Sequence, residues 1–408
     1  MAEPPSLKDI RSPLDLDNLK SYLSKVNSSS PKTQIGFNSN IPRSFTIAKQ
    51  FTFGQSNPTY YLEDSNGSKF VLRRKPSPNA KIISKTAHAI EKEFFIINAI
   101  NQLNNDVQDK DFIVPVPTVH LLCEDESIIG YVFYLMDYVE GLQIKNPSLP
   151  GFSNDDKNIY YKSIINTIVG IHKLDVEKLL SILPIEYFPQ FQNIEKLKTT
   201  SYFKRQIKTL TNIHNLQSKH VDPIPNFEKL TNWFIENAPE DPSKLTLIHG
   251  DLKIDNLLFN PTTKKVCGVL DWELCTIGHP LFDLSNFFQP FQFPQQMNQL
   301  MFQDPENEMG LGNPESEQFL LEQLKNYSKL IKWNPEDPSN DPIKLWKIGH
   351  TFGLLRLCVI SQGIAMRVKQ GNASSASAKQ YAEMYPFLSE LAVDYAFGEH
   401  SIDHKSKI

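Results

Sequence analysis

The sequence predicts an α+β chain of two lobes, a small antiparallel-sheet N-lobe followed by a large, mostly helical C-lobe. Three observations predict it. Short segments rich in β-branched and aromatic residues crowd the stretch before Asp137. Segments with apolar residues at helical spacing fill the stretch after Gly141. One strand-rich insert, Leu245–Trp272, interrupts those helices and gathers carboxylate, amide and cationic residues in a short span. A chain of 408 residues is too long for one ordinary core and suits such a division.

The elements follow in order. Residues 1–32 are polar and rich in Ser, Pro and Lys, so a flexible N-terminal arm is expected. The sheet lobe is expected over 33–137. Strands over Ser44–Phe53, Thr59–Glu63 and Lys69–Arg74 are separated by turn chemistry at Gly54-Gln55-Ser56-Asn57-Pro58 and Ser65-Asn66-Gly67. A helix over Ala87–Leu103 follows from Ile90, Phe94, Ile97 and Ile100, then strands near Thr118–Leu122 and Tyr131–Met136. The helical lobe is expected over 138–400. Its helices lie near Asp155–Lys173, Glu195–Asn215, Asn226–Asn237, Pro294–Met301, Glu315–Ile331, Ile343–Lys369 and Ser377–Val393. Residues 401–408 are expected to be a tail.

Composition excludes several classes. A net charge of −4 argues against a nucleic-acid binder, which would present a basic face. Cys123, Cys267, Cys275 and Cys358 form no Cys-x-x-Cys pair and sit among apolar neighbours, which fits reduced thiols inside a cell. The start, Met-Ala-Glu-Pro-Pro, lacks a basic region followed by an apolar stretch, so no signal peptide is expected. No run of 18 or so apolar residues is evident, so no membrane span is expected.

The insert reads Leu247-Ile248-His249-Gly250-Asp251-Leu252-Lys253-Ile254-Asp255-Asn256-Leu257-Leu258-Phe259. Asp251 and Asn256 are bracketed by the apolar runs Leu245–Ile248 and Leu257–Phe259, which would pair as a hairpin-like support for the loop. A further strand near Val266–Leu270 ends at Asp271-Trp272-Glu273, so Asp271 would emerge at a strand end facing the same loop. Phosphoryl transfer needs this kind of set. A carboxylate positions the nucleophile, oxygen ligands hold Mg2+ on the phosphates, and cations offset charge. The plainer reading is a solvated acidic turn between two strands.

The spacing resembles the kinase catalytic set, His-x-Asp-x-x-x-x-Asn followed by a metal-binding Asp some 20 residues on. The resemblance assigns Asp251 as catalytic base and Asn256 and Asp271 as Mg2+ ligands. It makes His249 a prop of the loop and Lys253 a cation for the transferred phosphoryl group. It implies a protein kinase-like two-lobe fold and ATP as phosphoryl donor. Gly250 stands where protein kinases carry Arg, and Trp272-Glu273 stands where they carry Phe-Gly. Both departures point to the aminoglycoside phosphotransferase and choline kinase branch. The short span from Asp271 to the apolar run Pro280–Phe288 leaves no room for a segment that docks a peptide, so a small acceptor is expected.

The first lobe adds to this. Phe51–Tyr60, with its single Gly54, would be a strand–turn–strand over the phosphates that brings Ser56 and Asn57 to the nucleotide, although an ordinary hairpin has the same pattern. Alternation puts Val71 and Arg73 on one strand face, and Arg73 stands in the place of the phosphate-binding kinase Lys. Glu93 is the candidate ion-pair partner, Glu91 its rival, and solvent-facing charge the alternative for both. Tyr131–Gly141 resembles the kinase hinge. Adenine would bond the backbone near Asp137–Val139, with Met136 behind it.

Several further stretches resemble the kinase domain at the N-terminus of acyl-CoA dehydrogenase family members 10 and 11. They are Gly54–Tyr60, Val71–Pro76, Ala87–Glu91, Leu270–Leu274, Arg356–Ile364 with Arg367, and Gly371-Asn372-Ala373. The resemblance covers roughly Ile35–Leu391 and lacks the dehydrogenase half, so a stand-alone kinase is expected. It implies a hydroxyacyl-CoA acceptor, such as a 4-hydroxyacyl-CoA, in fatty-acid catabolism. A choline- or aminoglycoside-like acceptor and a non-catalytic nucleotide-binding module are the competing readings. Arg356 and Arg367 would receive an anionic substrate or, as the favoured reading, form internal ion pairs. Asp283 is expected to anchor the catalytic loop. Ser406-Lys407-Ile408 resembles the peroxisomal Ser-Lys-Leu signal, which implies an import receptor as partner and the peroxisome matrix as location, with the cytoplasm as the alternative.

Overall fold

The computed structural model describes residues 6–52, 57–76, 90–337, 339–371 and 378–398. Ser56, Ala87–Ala89, Asn372-Ala373 and Ser406–Ile408, on which expectations above fall, lie outside the described residues. The chain divides into two compact units, 1–192 with 254–275, and 193–253 with 276–408. The expected boundary at 137/138 is therefore not where the chain divides. Residues 138–192 and 254–275 go with the first unit because their strands and helices pair there.

The chain opens with β1 (Leu7–Lys8) and α1 (Leu16–Lys25). Sheet strands follow as β2 (Thr33–Ile35), β3 (Ile47–Phe51), β4 (Thr59–Glu63) and β5 (Lys69–Arg74). After α2 (Ile90–Leu103) come β6 (Val119–Cys123) and β7 (Phe133–Asp137). Among the described residues these seven strands form one sheet in the order β1-β3-β4-β5-β7-β6-β2. Every pairing in it is antiparallel. β5 lies at its centre, which accounts for its buried Phe70, Val71 and Leu72.

The expected loose arm is corrected here for its described part. Asp15 caps α1 by accepting the N–H of Asn18 at 3.0 Å, and Leu19 and Leu23 on one helix face are fully buried. They join Val26, Phe45, Tyr60 and Leu62 in the core behind the sheet. The polar residues that suggested an arm occupy only the outer face of this helix.

The first unit continues through β8 (Leu142–Gln143), α3 (Asn154–Lys173) and α4 (Val176–Ile182). Ser153 caps α3 by accepting the N–H of Asp156, and Asp155 and Asp156 in the first turn favour its dipole. The second unit begins with α5 (Ile194–Thr199), α6 (Tyr202–Gln217), α7 (Phe227–Asn237) and β9 (Leu247–Ile248). The single helix expected over Glu195–Asn215 breaks before Tyr202, whose N–H is taken by the Asp241 carboxylate at 2.9 Å.

The chain returns to the first unit as β10 (Leu257–Phe259) and β11 (Val266–Val269), then to the second as β12 (Thr276–Ile277). The two apolar runs flanking the loop do not pair with each other. β9 pairs with β12, whereas β10 pairs with β8 and β11. The hairpin that does form is the next one along the chain, β10 with β11, while β9 takes its partner from beyond it. The second unit closes with α8 (Leu281–Phe288), α9 (Gln295–Phe302), α10 (Pro314–Leu330), α11 (Trp346–Lys369), α12 (Ala378–Ala382) and α13 (Tyr385–Phe397).

By length and composition α11 is apolar enough to cross a membrane, contrary to the expectation that no such stretch exists. Its apolar residues are accounted for inside the unit, where Phe352, Leu354, Leu355, Cys358 and Val359 are buried. Gly349 permits the close approach of α11 to α8. A Cβ there would meet Leu281 Cγ and Ser285 Cβ at 3.0 Å.

Candidate active site

In the first unit the site residues gather around Arg73. Register places Arg73 of β5 opposite Thr59 of β4 and Tyr134 of β7. Its guanidinium is buried and forks between two carboxylates, donating to Glu93 Oε1 at 2.5 Å and to Asp271 Oδ1 at 2.9 Å. Glu91 instead pairs with Lys75. The choice between the two acidic residues of α2 therefore falls to Glu93. Burial opposes the charge on Arg73, but Glu93, Tyr134 and Asp271 outweigh it and push its pKa up. Burial pushes the Glu93 carboxyl up to about 7, against the pull of Arg73.

Asp271 sits at φ 69° and ψ 57°, in the left-handed region, at the start of a short 3-10 turn. A non-glycine residue there costs on the order of 1–3 kcal/mol and is held by its surroundings. Trp272 supplies the hold, being buried with its Nε1 donating to Val269 O at 3.0 Å. Leu257 faces Val269 across β10 and β11, so Asn256 and Leu270 come level at the end of the ladder. The Leu270 N–H donates to Asn256 O at 2.9 Å. Asn256 and Asp271 are thus brought together, as expected, at one end of a strand pair. Gln143 braces the same turn by donating to Asp255 O at 2.6 Å.

Asn57 is fully buried and donates to Glu273 Oε2 at 3.1 Å. Its side chain ties the strand end that follows the expected phosphate loop to the segment after Asp271. At the end of β7, where a hinge is expected, the Asp137 carboxylate is held by His120 Nε2 at 2.7 Å and Met136 is buried. The Asp137 N–H donates to Thr118 O and the Tyr138 N–H to Lys69 O. Among the described residues the Val139 N–H has no protein acceptor.

The second unit holds the other residues. β9 runs into His249, Gly250 and Asp251. Gly250 adopts φ 82°, which explains a glycine here, because an Arg would be strained. The fully buried Asp283 of α8 accepts the His249 N–H at 2.7 Å and the Gly250 N–H at 3.0 Å. His249 Nδ1 accepts the Asp251 N–H at 3.3 Å. Both residues hold the loop backbone. Two cations flank the Asp251 carboxylate. Lys253 Nζ lies 3.4 Å from Oδ2, and Arg356 Nη2 of α11 lies 3.8 Å from Oδ1. Arg356 Nη1 donates to Asn286 Oδ1 at 3.1 Å, and Asn286 Nδ2 donates to Leu252 O at 2.8 Å. The internal pairing favoured for Arg356 is present, with Asp251 as the partner. Arg367 lies in the last turn of α11 and is half-buried.

Asn286 and Glu273 were not singled out from sequence. Asn286 follows Asp283 by one helical turn, so it shares the face that meets the loop, and that spacing is the signal that points to it. Glu273 carries no such signal, because its partner Asn57 is remote in sequence.

A hard oxygen donor set is what Mg2+ takes. Asp271 and Asn256 offer a carboxylate and an amide. Among the described residues Asp271 Oδ2 has no hydrogen-bond partner, and the side chain is 34% exposed. These residues fit the ion. No group of three or more His, Cys, Asp or Glu placed to hold a metal occurs among the described residues.

The sheet-plus-helix architecture and the paired acidic and cationic loops define a phosphotransferase of protein kinase-like fold. The model of the phosphotransferase enzyme family, APH, matches residues 47–304, and the chain belongs to that family. Among curated relatives, mouse acyl-CoA dehydrogenase family member 10 is 35% identical, over 86% of this chain and 29% of its own length. Family member 11 of Pongo abelii is 30% identical, over 93% of this chain and 43% of its own. The chain therefore spans less than half the length of these relatives. A solved structure from Ralstonia eutropha, assigned as an aminoglycoside phosphotransferase, superposes with TM-score 0.67 at 28% identity, covering 94% of this chain and 98% of that one. The GDP complex of aminoglycoside 2'-phosphotransferase-IIIa shares the fold, with TM-score 0.52 at 17% identity, covering 85% and 94%.

Proposed function

We propose that this chain transfers the γ-phosphoryl group of ATP to the hydroxyl of a small acceptor, and that the acceptor is a hydroxyacyl-CoA of the 4-hydroxyacyl type. The observation that carries the phosphoryl-transfer reading is the buried Arg73 guanidinium forked between Glu93 and Asp271, beside the Asn256 tie. It supports a fixed cation for the nucleotide phosphates next to two oxygen ligands for Mg2+. Mg2+, when bound, offsets phosphate charge, and Asn256 and Asp271 would hold it. The Val139 N–H supports adenine recognition at the hinge.

Asp251 then accepts the proton of the acceptor hydroxyl. That oxygen forms a bond to the γ-phosphorus while the bond from phosphorus to the bridging oxygen breaks, and ADP leaves with the electron pair. Asp283 and His249 keep Asp251 in place by fixing the loop backbone. Lys253 is the cation for the transferred group. Two features support the acyl-CoA acceptor: the relatives named as acyl-CoA dehydrogenase family members, and the two cations at Asp251, which disfavour a polycationic antibiotic or choline. Steady-state ATP turnover with a panel of hydroxyacyl-CoAs, choline, ethanolamine and aminoglycosides tests the reading. Stimulation by a hydroxyacyl-CoA is expected. No stimulation by any of them would end it.

A further inference from the structure

Arg356 is built into the second unit in a way that an incidental ion pair is not. Gly349, two turns earlier on α11, lets the helix seat against α8. Arg356 then lies over the ring of Phe282, its guanidinium carbon 5.3 Å from the ring centre. Its Nη1 is spent on Asn286, and Asn286 is itself fixed to the backbone of the Asp251 loop through Leu252 O. The aromatic face and the amide together hold the guanidinium plane in one orientation. Its Nη2 points toward Asp251 but stops 3.8 Å from Oδ1, beyond hydrogen-bond reach. A guanidinium has five N–H donors, and among the described residues the Nη2 donors meet no acceptor at bonding distance. The side chain is 20% exposed, so an oxygen from solvent or ligand has access to it.

We propose that Arg356 is the specificity-determining residue for the acceptor, and that Nη2 takes a carbonyl or carboxylate oxygen carried by the same molecule as the accepting hydroxyl. This rests on Asp251 being the base. The hydroxyl sits on the carboxylate while the neighbouring oxygen sits on Arg356, so one bound molecule satisfies both ends of the 3.8 Å pair. An acceptor that places an ammonium there meets the fixed guanidinium instead and is rejected. Asn286 is a positioning residue, because it holds Arg356 and does not itself offer a donor to the acceptor.

The test measures turnover, and binding in the presence of AMP-PNP and Mg2+, for wild type, R356Q, R356K and D251N. The probes are 4-hydroxybutyryl-CoA, 4-hydroxybutyrate and choline. In the wild type both acyl-bearing alcohols should be preferred to choline. The first two probes separate a thioester carbonyl from a free carboxylate as the oxygen recognised. R356Q should raise the KM of the preferred probe about 10- to 100-fold, the loss of one charge-assisted hydrogen bond, with the KM for ATP unmoved. R356K should recover part of that loss, because it keeps the charge and loses the fork. Three results would overturn the proposal: R356Q leaving acceptor KM and selectivity unchanged, choline preferred to both acyl-bearing alcohols, or neither of these binding at all. A merely structural role would lower kcat and melting temperature without moving acceptor KM relative to that of ATP. Loss of turnover in D251N alongside an unmoved KM in R356Q sinks this inference alone. Full turnover in D251N sinks the reading of the base instead.

Discussion

Asp251 carries the proton in the proposed reaction, and its carboxylate is the one group there whose removal separates chemistry from binding. D251N should keep the shape of the loop, since Asp283 and His249 hold its backbone N–H groups. Turnover should fall by about 10²–10⁴-fold while AMP-PNP affinity, read by calorimetric titration, stays within a few-fold. Glu93 offers a second measurement at this scale. Its folded pKa of about 7 stands above its ordinary 4.5, so the folded protein holds this proton more tightly than the unfolded chain does. That contribution to stability is complete below pH 4.5 and is lost as pH rises through about 7. Urea unfolding of the wild type between pH 5 and 8 should show this decline. E93Q, which has no proton to lose, should show a flatter profile over the same range, and an identical slope in the two proteins would refute the assignment. The choice of Glu93 over Glu91 was not legible beforehand. Both sit in the first turn of α2 and both are buried, and the seating of α2 against the sheet, which gives Glu93 to Arg73 and Glu91 to Lys75, decides it.

At the scale of elements, the pieces whose information is local were legible. β4 and β5 are bounded as their alternation and turn residues indicate, and α3 begins at its cap. Pieces that depend on remote partners were not. Leu247–Ile248 and Leu257–Phe259 look like two arms of a hairpin because both are apolar and only a loop apart. β9 instead pairs with β12 and β10 with β8, both remote in sequence, and only the neighbour β11 lies within a local hairpin of β10. The N-terminal helix failed for a different reason. Leu16, Leu19 and Leu23 form a helical stripe, but the Ser and Lys around them lower the apparent hydrophobicity of the stretch. The stripe is nonetheless part of the core, so L19A should destabilise the protein by about 2–5 kcal/mol in equilibrium unfolding. A loss below about 0.5 kcal/mol, the size expected of an exposed site, would return this segment to the status of an arm.

For the molecule as a whole, the candidate residues are divided between the two compact units. Arg73, Glu93, Asn256 and Asp271 belong to the first, and Asp251, Lys253 and Arg356 to the second. The break falls inside the short stretch from Asp251 to Asn256, which reads in sequence as one motif. Spacing alone therefore revealed the motif but not the division. On the proposed roles, nucleotide binding falls to residues of the first unit and acceptor chemistry to residues of the second. AMP-PNP with Mg2+ at a hundredfold excess over its Kd should stabilise the wild type by about 2.7 kcal/mol, because ligand binds the folded state only. For a unit of this size that is a rise in melting temperature of roughly 5–10 °C. D271N removes a charged oxygen donor proposed for the ion and an anionic partner of Arg73, so most of the shift should disappear, and chelating Mg2+ in the wild type should have the same effect. D251N lies in the other unit and should keep the shift in full. Equal loss in D271N and D251N would mean that nucleotide recognition is not confined to the first unit's residues.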